Sequence, residues 1–254
     1  IKTYFAERKG LDPKDIFNVS IMPCTAKKYE RQRAQMPNDV DAVLTTRELA
    51  RLIKRSGINW KKLPEEEFDA DLLGEYSGAG VIFGVTGGVM EAALRTAYYW
   101  MTGKEYAQIN FEEVRGLQGV KEATIDVEGT PVKVAVTSGM KNAKVLLDQV
   151  KEGTSPYAFI EIMCCPGGCI NGGGQPYVKP TMLPNEDVDI LDTYRAKRAS
   201  VLYGEDERLV IRQSHNNKDI QKLYADYLGE RCGEKAEELL HTHYVSNREK
   251  YPNK

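Results

Sequence analysis

The chain has 254 residues, with 35 Lys and Arg against 37 Asp and Glu, so a formal net charge of −2 gives no basic surplus for nucleic acid. A hydrophobic share of 41% and a charged share of 28% describe an ordinary globular protein of one or two domains. No apolar run approaches the roughly 20 residues a membrane-spanning helix needs. Five unevenly spaced cysteines do not read as a secreted disulfide framework, so a reducing, cytoplasmic location is expected. The sequence opens at Ile1 without an initiator Met, so the natural N terminus is expected upstream and the lack of a signal peptide is uninformative.

In chain order, residues 1–10 read as the end of a helix stopped by Gly10. After a turn at residues 11–14, Ile16, Phe17, Val19 and Ile21 mark a strand ending at Met22. Pro23 stops strand pairing and can open a helical turn. On such a turn Cys24 and Lys27 share a face, and a fixed ammonium beside a cysteine favours the thiolate. The bland alternative is a buried thiol beside a solvated lysine. Residues 41–45 form a short strand, Thr46 caps a helix through Lys54 that stops at Gly57, and residues 65–71 make an acidic, exposed connection.

Gly78, Gly80 and Gly84 lack the preceding strand that a dinucleotide loop requires. They read instead as close packing of a loop and helix against a large buried object. The helix from Thr86 to about Thr102 presents Val89, Ala93, Ala97 and Trp100 as its core face. Residues 109–115, 120–127 and 132–137 alternate as strands, with turns at Gly116, Gly119 and Gly129, and residues 142–152 form a helix. A Pro-rich, acidic connection over residues 176–192 marks a boundary, and the tail to His243 is mostly helical and wraps the main body. His215 helps cap a helix over residues 217–228. His241 and His243, two apart, cannot share a helix face, and Cys232 reads as structural or idle.

The densest chemistry lies in residues 159–176. An apolar run from Tyr157 to Met163 reads as a buried strand, followed by Cys164, Cys165 and Cys169 among five glycines. Glycines allow sharp turns and close backbone approach, leaving inward N–H groups that suit an anionic, thiolate-bound guest. Adjacent cysteines also occur as small buried hydrophobes or in a disulfide, and a Cys-x3-Cys pair alone suits zinc. Packing alone gains nothing from the glycines, each costing about 0.5–1 kcal/mol relative to Ala. A metal or cluster is the favoured reading.

Met22-Pro23-Cys24-Thr25-Ala26-Lys27-Lys28-Tyr29-Glu30 and Glu161-Ile162-Met163-x-Cys165-Pro166-Gly167-Gly168-Cys169-Ile170-Asn171-Gly172-Gly173-Gly174-Gln175-Pro176 stand about 140 residues apart. Together they resemble the catalytic domain of iron-only (di-iron) hydrogenases, and residues 198–244 resemble that family's small-subunit segment. The likeness covers essentially the whole chain. It implies an α/β, two-lobed fold of twisted sheets flanked by helices, with the cluster site between the lobes. It also implies a division into a catalytic domain over residues 1–190 and a helical segment over residues 191–254.

The cofactor implied is the H-cluster: a 4Fe-4S cluster joined through a cysteine sulfur to a di-iron unit bearing CO, cyanide and a bridging dithiolate amine. By the resemblance, Cys24, Cys165 and Cys169 are metal ligands, with Cys169 bridging. Lys27 donates to a cyanide, and Lys27, Met22 and Met163 form the catalytic surround. Pro23 and Phe83 wall the unit off, and Gly167 and Gly168 give the bridging sulfur room. The resemblance further implies that hydrogen would be split at the distal iron, with the bridgehead amine taking the proton and electrons passing to ferredoxin or NAD(P)-linked domains or subunits.

Two departures stand out. The family's first cysteine motif, which supplies the fourth cluster ligand and the proton-passing thiol, is absent from these residues. The chain by itself is therefore expected to be an incomplete, inactive portion whose missing segment carries that ligand. Cys164 stands where the family usually has a small residue such as Ala, and strand alternation predicts that it faces away into packing. A hydrogen-sensing paralogue, a cluster-bearing assembly or prelamin-binding relative without the di-iron unit, and a zinc protein are the alternatives.

Overall fold

The computed structural model describes residues 1–67, 69, 72–106, 110–115, 119–178 and 190–246. It opens with helix α1 (Tyr4–Lys9), closed by Gly10 in the left-handed region at φ 63°. Strand β1 (Val19–Met22) follows, shorter than the alternation of residues 16–22 suggests, then the single helical turn α2 (Lys27–Glu30). Strand β2 (Ala42–Thr45) runs straight into helix α3 (Thr46–Arg55). The cap of α3 is Thr45, one residue before the expected Thr46: its hydroxyl accepts from the Glu48 N–H, while the Glu48 carboxylate accepts from the Thr45 N–H at 2.8 Å. This is a reciprocal capping box.

Helices α4 (Gly78–Val81) and α5 (Gly88–Thr102) come next, then strands β3 (Val120–Val127) and β4 (Thr130–Ser138), joined by Glu128 and Gly129 at φ 51° and 88°. Two successive positive φ angles give the tight hairpin connection that matches strand twist. Helix α6 (Met140–Lys151) crosses to strand β5 (Phe159–Met163), which is parallel to β4. Helix α7 (Ile190–Arg208), helix α8 (Lys218–Leu223) continued by a wider turn to Leu228, and helix α9 (Glu234–Leu240) complete the chain. Two sheets result, a parallel β1–β2 pair and a mixed β3–β4–β5 sheet, with helices around them. The architecture is α/β.

Several expectations change at this level. Ile109 and Gly116 lie outside the described residues, and residues 112–114 form a short helical turn rather than a strand. Phe111 and Val114, three apart, both enter the core with Met90, Ile125, Val134 and Val136, which is turn spacing and not alternation. The apolar strand β5 is an edge strand: Phe159 and Ile162 are exposed and only Glu161 is buried. Helix α5 does not bury Ala93 or Trp100; its fully covered face carries Met90, Glu91, Ala92, Arg95 and Thr96. The expected connection over residues 176–192 falls largely outside the described residues. Asn217, not His215, caps α8 by accepting from the Ile220 N–H, while His215 stacks on Tyr99 at 4.2 Å and meets Glu105 at 3.0 Å.

The charged face of α5 is matched by α7. Arg95, 1% exposed, donates to both oxygens of Asp206 at 2.8 and 2.9 Å and to Glu91 at 2.7 Å. Arg115 closes a two-point contact on Glu91, and Arg212 reaches Asp206 at 2.5 Å. A Cβ on Gly78 would lie 1.9 Å from the Asp206 carboxylate, and one on Gly84 would lie 2.6 Å from Leu202. The expected buried object behind Gly78 and Gly84 is therefore α7, whose close approach needs residues without side chains there, whereas Gly80 is exposed and faces no such contact. Among the described residues no helix is long and apolar enough to cross a membrane.

Candidate metal centre

Both cysteine motifs leave the carboxyl end of a parallel strand. Cys24 follows β1 after Pro23, and Cys164 and Cys165 follow β5 directly. Crevices outside such strand ends are the usual ligand sites of α/β proteins. The two motifs meet through the glycine run at 172–174. The Gly174 N–H donates to the Pro23 carbonyl at 3.1 Å, and the Arg47 N–H donates to the Gly174 carbonyl at 3.2 Å. A Cβ on Gly172 would lie 2.0 Å from the Pro23 oxygen, and one on Gly174 would lie 2.9 Å from the Cys24 nitrogen. These glycines are what let two backbones touch. Gly172→Ala is expected to cost about 1–3 kcal/mol by overpacking and to part Cys24 from Cys169. A urea melt together with iron content after reconstitution would check it, and wild-type values in both would refute it.

The second glycine pair serves another contact. Gly167 and Gly168 have φ of 80° and 97°, and the Thr86 N–H donates to the Gly167 carbonyl at 3.2 Å. A Cβ on Gly168 would stand 2.6 Å from the Thr86 nitrogen. The Gly168 N–H donates to the Cys165 carbonyl, so Cys165 opens a tight turn that Cys169 follows.

Cys24, Cys164, Cys165 and Cys169 are all free thiols and line one cavity of about 910 Å³ with Lys27, Glu30, Met163 and Gly168. Burial pushes the Cys165 and Cys169 thiols up, reinforced by the neighbouring cysteines, while Lys27 pulls Cys169 the other way. Lys27 does not share a helix with Cys24, since α2 begins at Lys27 itself, and its ammonium pairs with Glu30. Met22, Pro23, Phe83 and Gly167 do not line this cavity; Met22 and Pro23 are half-buried, Gly167 is buried and Phe83 is exposed. Tyr244, Val245 and Ser246 line it from the tail, where Arg33 donates to the His243 carbonyl at 3.1 Å.

Cys164 is exposed and lines the same cavity, contrary to the expectation that it packs away. The alternation argument fails because β5 stops at Met163, so the residues after it bend and no longer obey strand geometry. Sequence reasoning also missed Glu30 and Glu161. The signal for Glu30 was its three-residue spacing from Lys27. For Glu161 it was one acid inside an otherwise apolar strand.

Among the described residues no three His, Cys, Asp or Glu side chains gather closely enough to hold a single metal ion. Four thiols around a cavity of about 910 Å³ suit a larger guest, and soft thiolate ligands favour iron-sulfur clusters over hard cations. The donor set fits a cluster.

The model of the iron-only hydrogenase large subunit, C-terminal domain, matches residues 1–173, and that of the iron hydrogenase small subunit matches residues 192–247. The chain belongs to the iron-only hydrogenase family. It is 47% identical to iron hydrogenase 1 of Clostridium pasteurianum over 247 residues, covering 96% of this chain and 42% of the relative. A solved [FeFe]-hydrogenase of Chlamydomonas reinhardtii superposes with a TM-score of 0.71 at 41% identity, covering 96% of this chain and 66% of that one. Mouse cytosolic iron-sulfur assembly component 3 is more distant, 31% identical over 258 residues, covering 96% of this chain and 50% of the relative. The chain thus spans less than half of the clostridial relative's length.

Proposed function

We propose that this chain forms the hydrogen-activating portion of an iron-only hydrogenase, interconverting H2 with protons and electrons. The observation that supports the reading is one cavity lined by Cys24, Cys165 and Cys169 from two distant motifs, with Lys27 and Met163 beside them. When bound, the H-cluster supplies the hydrogen-splitting and electron-relaying chemistry. The protein's share is to bind, orient and shield it. Cys24, Cys165 and Cys169 would hold the iron-sulfur part of that cofactor through their thiolates.

Lys27 presents an ammonium suited to an anionic ligand, steered by its ion pair with Glu30. Met163 offers a soft, polarizable wall on the lining, whereas Met22, Pro23 and Phe83 lie off it. Gly167 and Gly168, packed against residues 84–86, would leave room beside the Cys169 sulfur. Residues 1–190 act as the cluster-bearing unit, and residues 191–254 as a helical segment braced on it through Asp206. Electrons pass to ferredoxin or an NAD(P)-linked partner. A relative that carries a cluster alone would have no use for Lys27 and Met163 on the cavity wall.

Infrared spectroscopy tests the reading on the whole protein containing this chain, matured with its assembly factors. CO and cyanide stretches, lost with H2 turnover in Lys27→Ala, are the expected result. Zinc in place of iron, or a 4Fe-4S protein without those stretches, would overturn it.

A further inference from the structure

Helix α5 begins without a cap of its own. Gly87 occupies the N-cap position at φ 92° and has no side chain to accept from the first-turn N–H groups. A Cβ there would lie 2.2 Å from the Val114 carbonyl, so no capping residue could replace it. Strand β5 provides the acceptor instead. Glu161 receives the Gly87 N–H on one carboxylate oxygen and the Met90 N–H on the other, both at 2.7 Å. It is 7% exposed, and among the described residues no cation pairs with it. Two oriented N–H groups and the positive end of a 15-residue helix hold the charge. Burial still pushes this carboxyl up despite those two bonds, a cost that packing alone would avoid with an apolar residue.

The turn held by Glu161 is the one that backs the cysteine loop. Thr86, one residue before Gly87, donates to Gly167, and Gly168 fits against residues 84–86 too closely for any side chain. The segment from Glu161 to Gly168 is therefore fastened to the start of α5 at both ends, with Cys165 between the fastenings.

We propose that Glu161 is a positioning residue that fixes Cys165 relative to Cys24 and Cys169 through the first turn of α5, an inference that rests on the cluster reading above. Outer-shell partners of metal ligands typically change metal affinity about 10–100-fold when removed. Glu161→Gln keeps the size of the side chain but turns an N–H2 toward one of the two donors.

The test uses the whole protein containing this chain, reconstituted anaerobically with ferrous iron and sulfide, alongside Glu161→Gln and Asp206→Asn, which weakens the fold away from the cysteines. The expected result is normal helix content in Glu161→Gln by circular dichroism, cluster loss to a chelator about 10–100-fold faster than wild type, and an altered electron paramagnetic resonance signal of the reduced cluster. Asp206→Asn should keep the wild-type signal. Should Glu161→Gln not fold, Glu161→Asp, which withdraws the carboxylate by one methylene, is read the same way. A wild-type cluster that Glu161 variants hold and display unchanged, or that Asp206→Asn perturbs equally, overturns this inference and leaves the functional reading standing. Failure of the wild-type whole protein to hold an iron-sulfur cluster on these cysteines overturns both.

Discussion

Cys165→Ala is expected to abolish iron-sulfur incorporation, whereas Cys164→Ala keeps it. The turn in which the Gly168 N–H returns to the Cys165 carbonyl joins Cys165 to Cys169 as one structural unit. Cys164 precedes that turn, exposed, although it shares the cavity. Removing a thiolate leaves an iron site without its protein ligand, and among the described residues no histidine lines the cavity to replace it. Iron and acid-labile sulfide after anaerobic reconstitution measure the effect: near zero for Cys165→Ala, close to wild type for Cys164→Ala. Equal loss in both variants would make Cys164 a ligand as well.

Arg95→Met should carry the largest stability effect away from the cysteines. It leaves Glu91 and Asp206, both fully buried, without their shared partner. Breaking a buried ion pair from one side costs about 3–5 kcal/mol. Arg115 on Glu91 and Arg212 on Asp206 remain, which sets the expectation at the lower end of that range. Urea unfolding measures it, and a loss below about 1 kcal/mol, the usual value of an exposed pair, would show that the network does not brace α7 on α5.

The same network has a pH signature. Burial alone would raise the Asp206 carboxyl, but Arg95 and Arg212 hold it below its ordinary value of 3.8. A carboxyl depressed in the folded state stabilises the fold above its unfolded pKa and loses that contribution as pH falls through the folded one. Wild-type stability should therefore drop below about pH 4, and Arg95→Met should flatten that part of the profile. Parallel acid profiles for the two proteins would count against the assignment.

Much of the candidate site was legible in the residues alone. Two cysteine motifs and a run of glycines pointed to a thiolate-bound guest, and only the resemblance to iron-only hydrogenases specified iron. Helix stops at Gly10 and Gly57, the hairpin at Gly129 and the strand at residues 120–127 were equally plain, since local backbone preference sets them.

What each glycine touches could not be read locally. The run at 172–174 approaches the Pro23–Cys24 backbone, and Gly168 approaches residues 84–86, contacts between segments far apart in sequence. Periodicity also misjudged α5, because its buried face is built from charges that only α7 neutralises. A strand of apolar residues looked central yet lies at an edge, and its single acid turned out to cap a helix 74 residues earlier. The sequence by itself determined the α/β class, from its alternation of strands and helices, and the family, through two motifs that resemble those of iron-only hydrogenases. Only the tertiary structure decided which buried charges meet, where Cys164 lies and what Glu161 holds, because those depend on long-range packing and desolvation that no local pattern encodes.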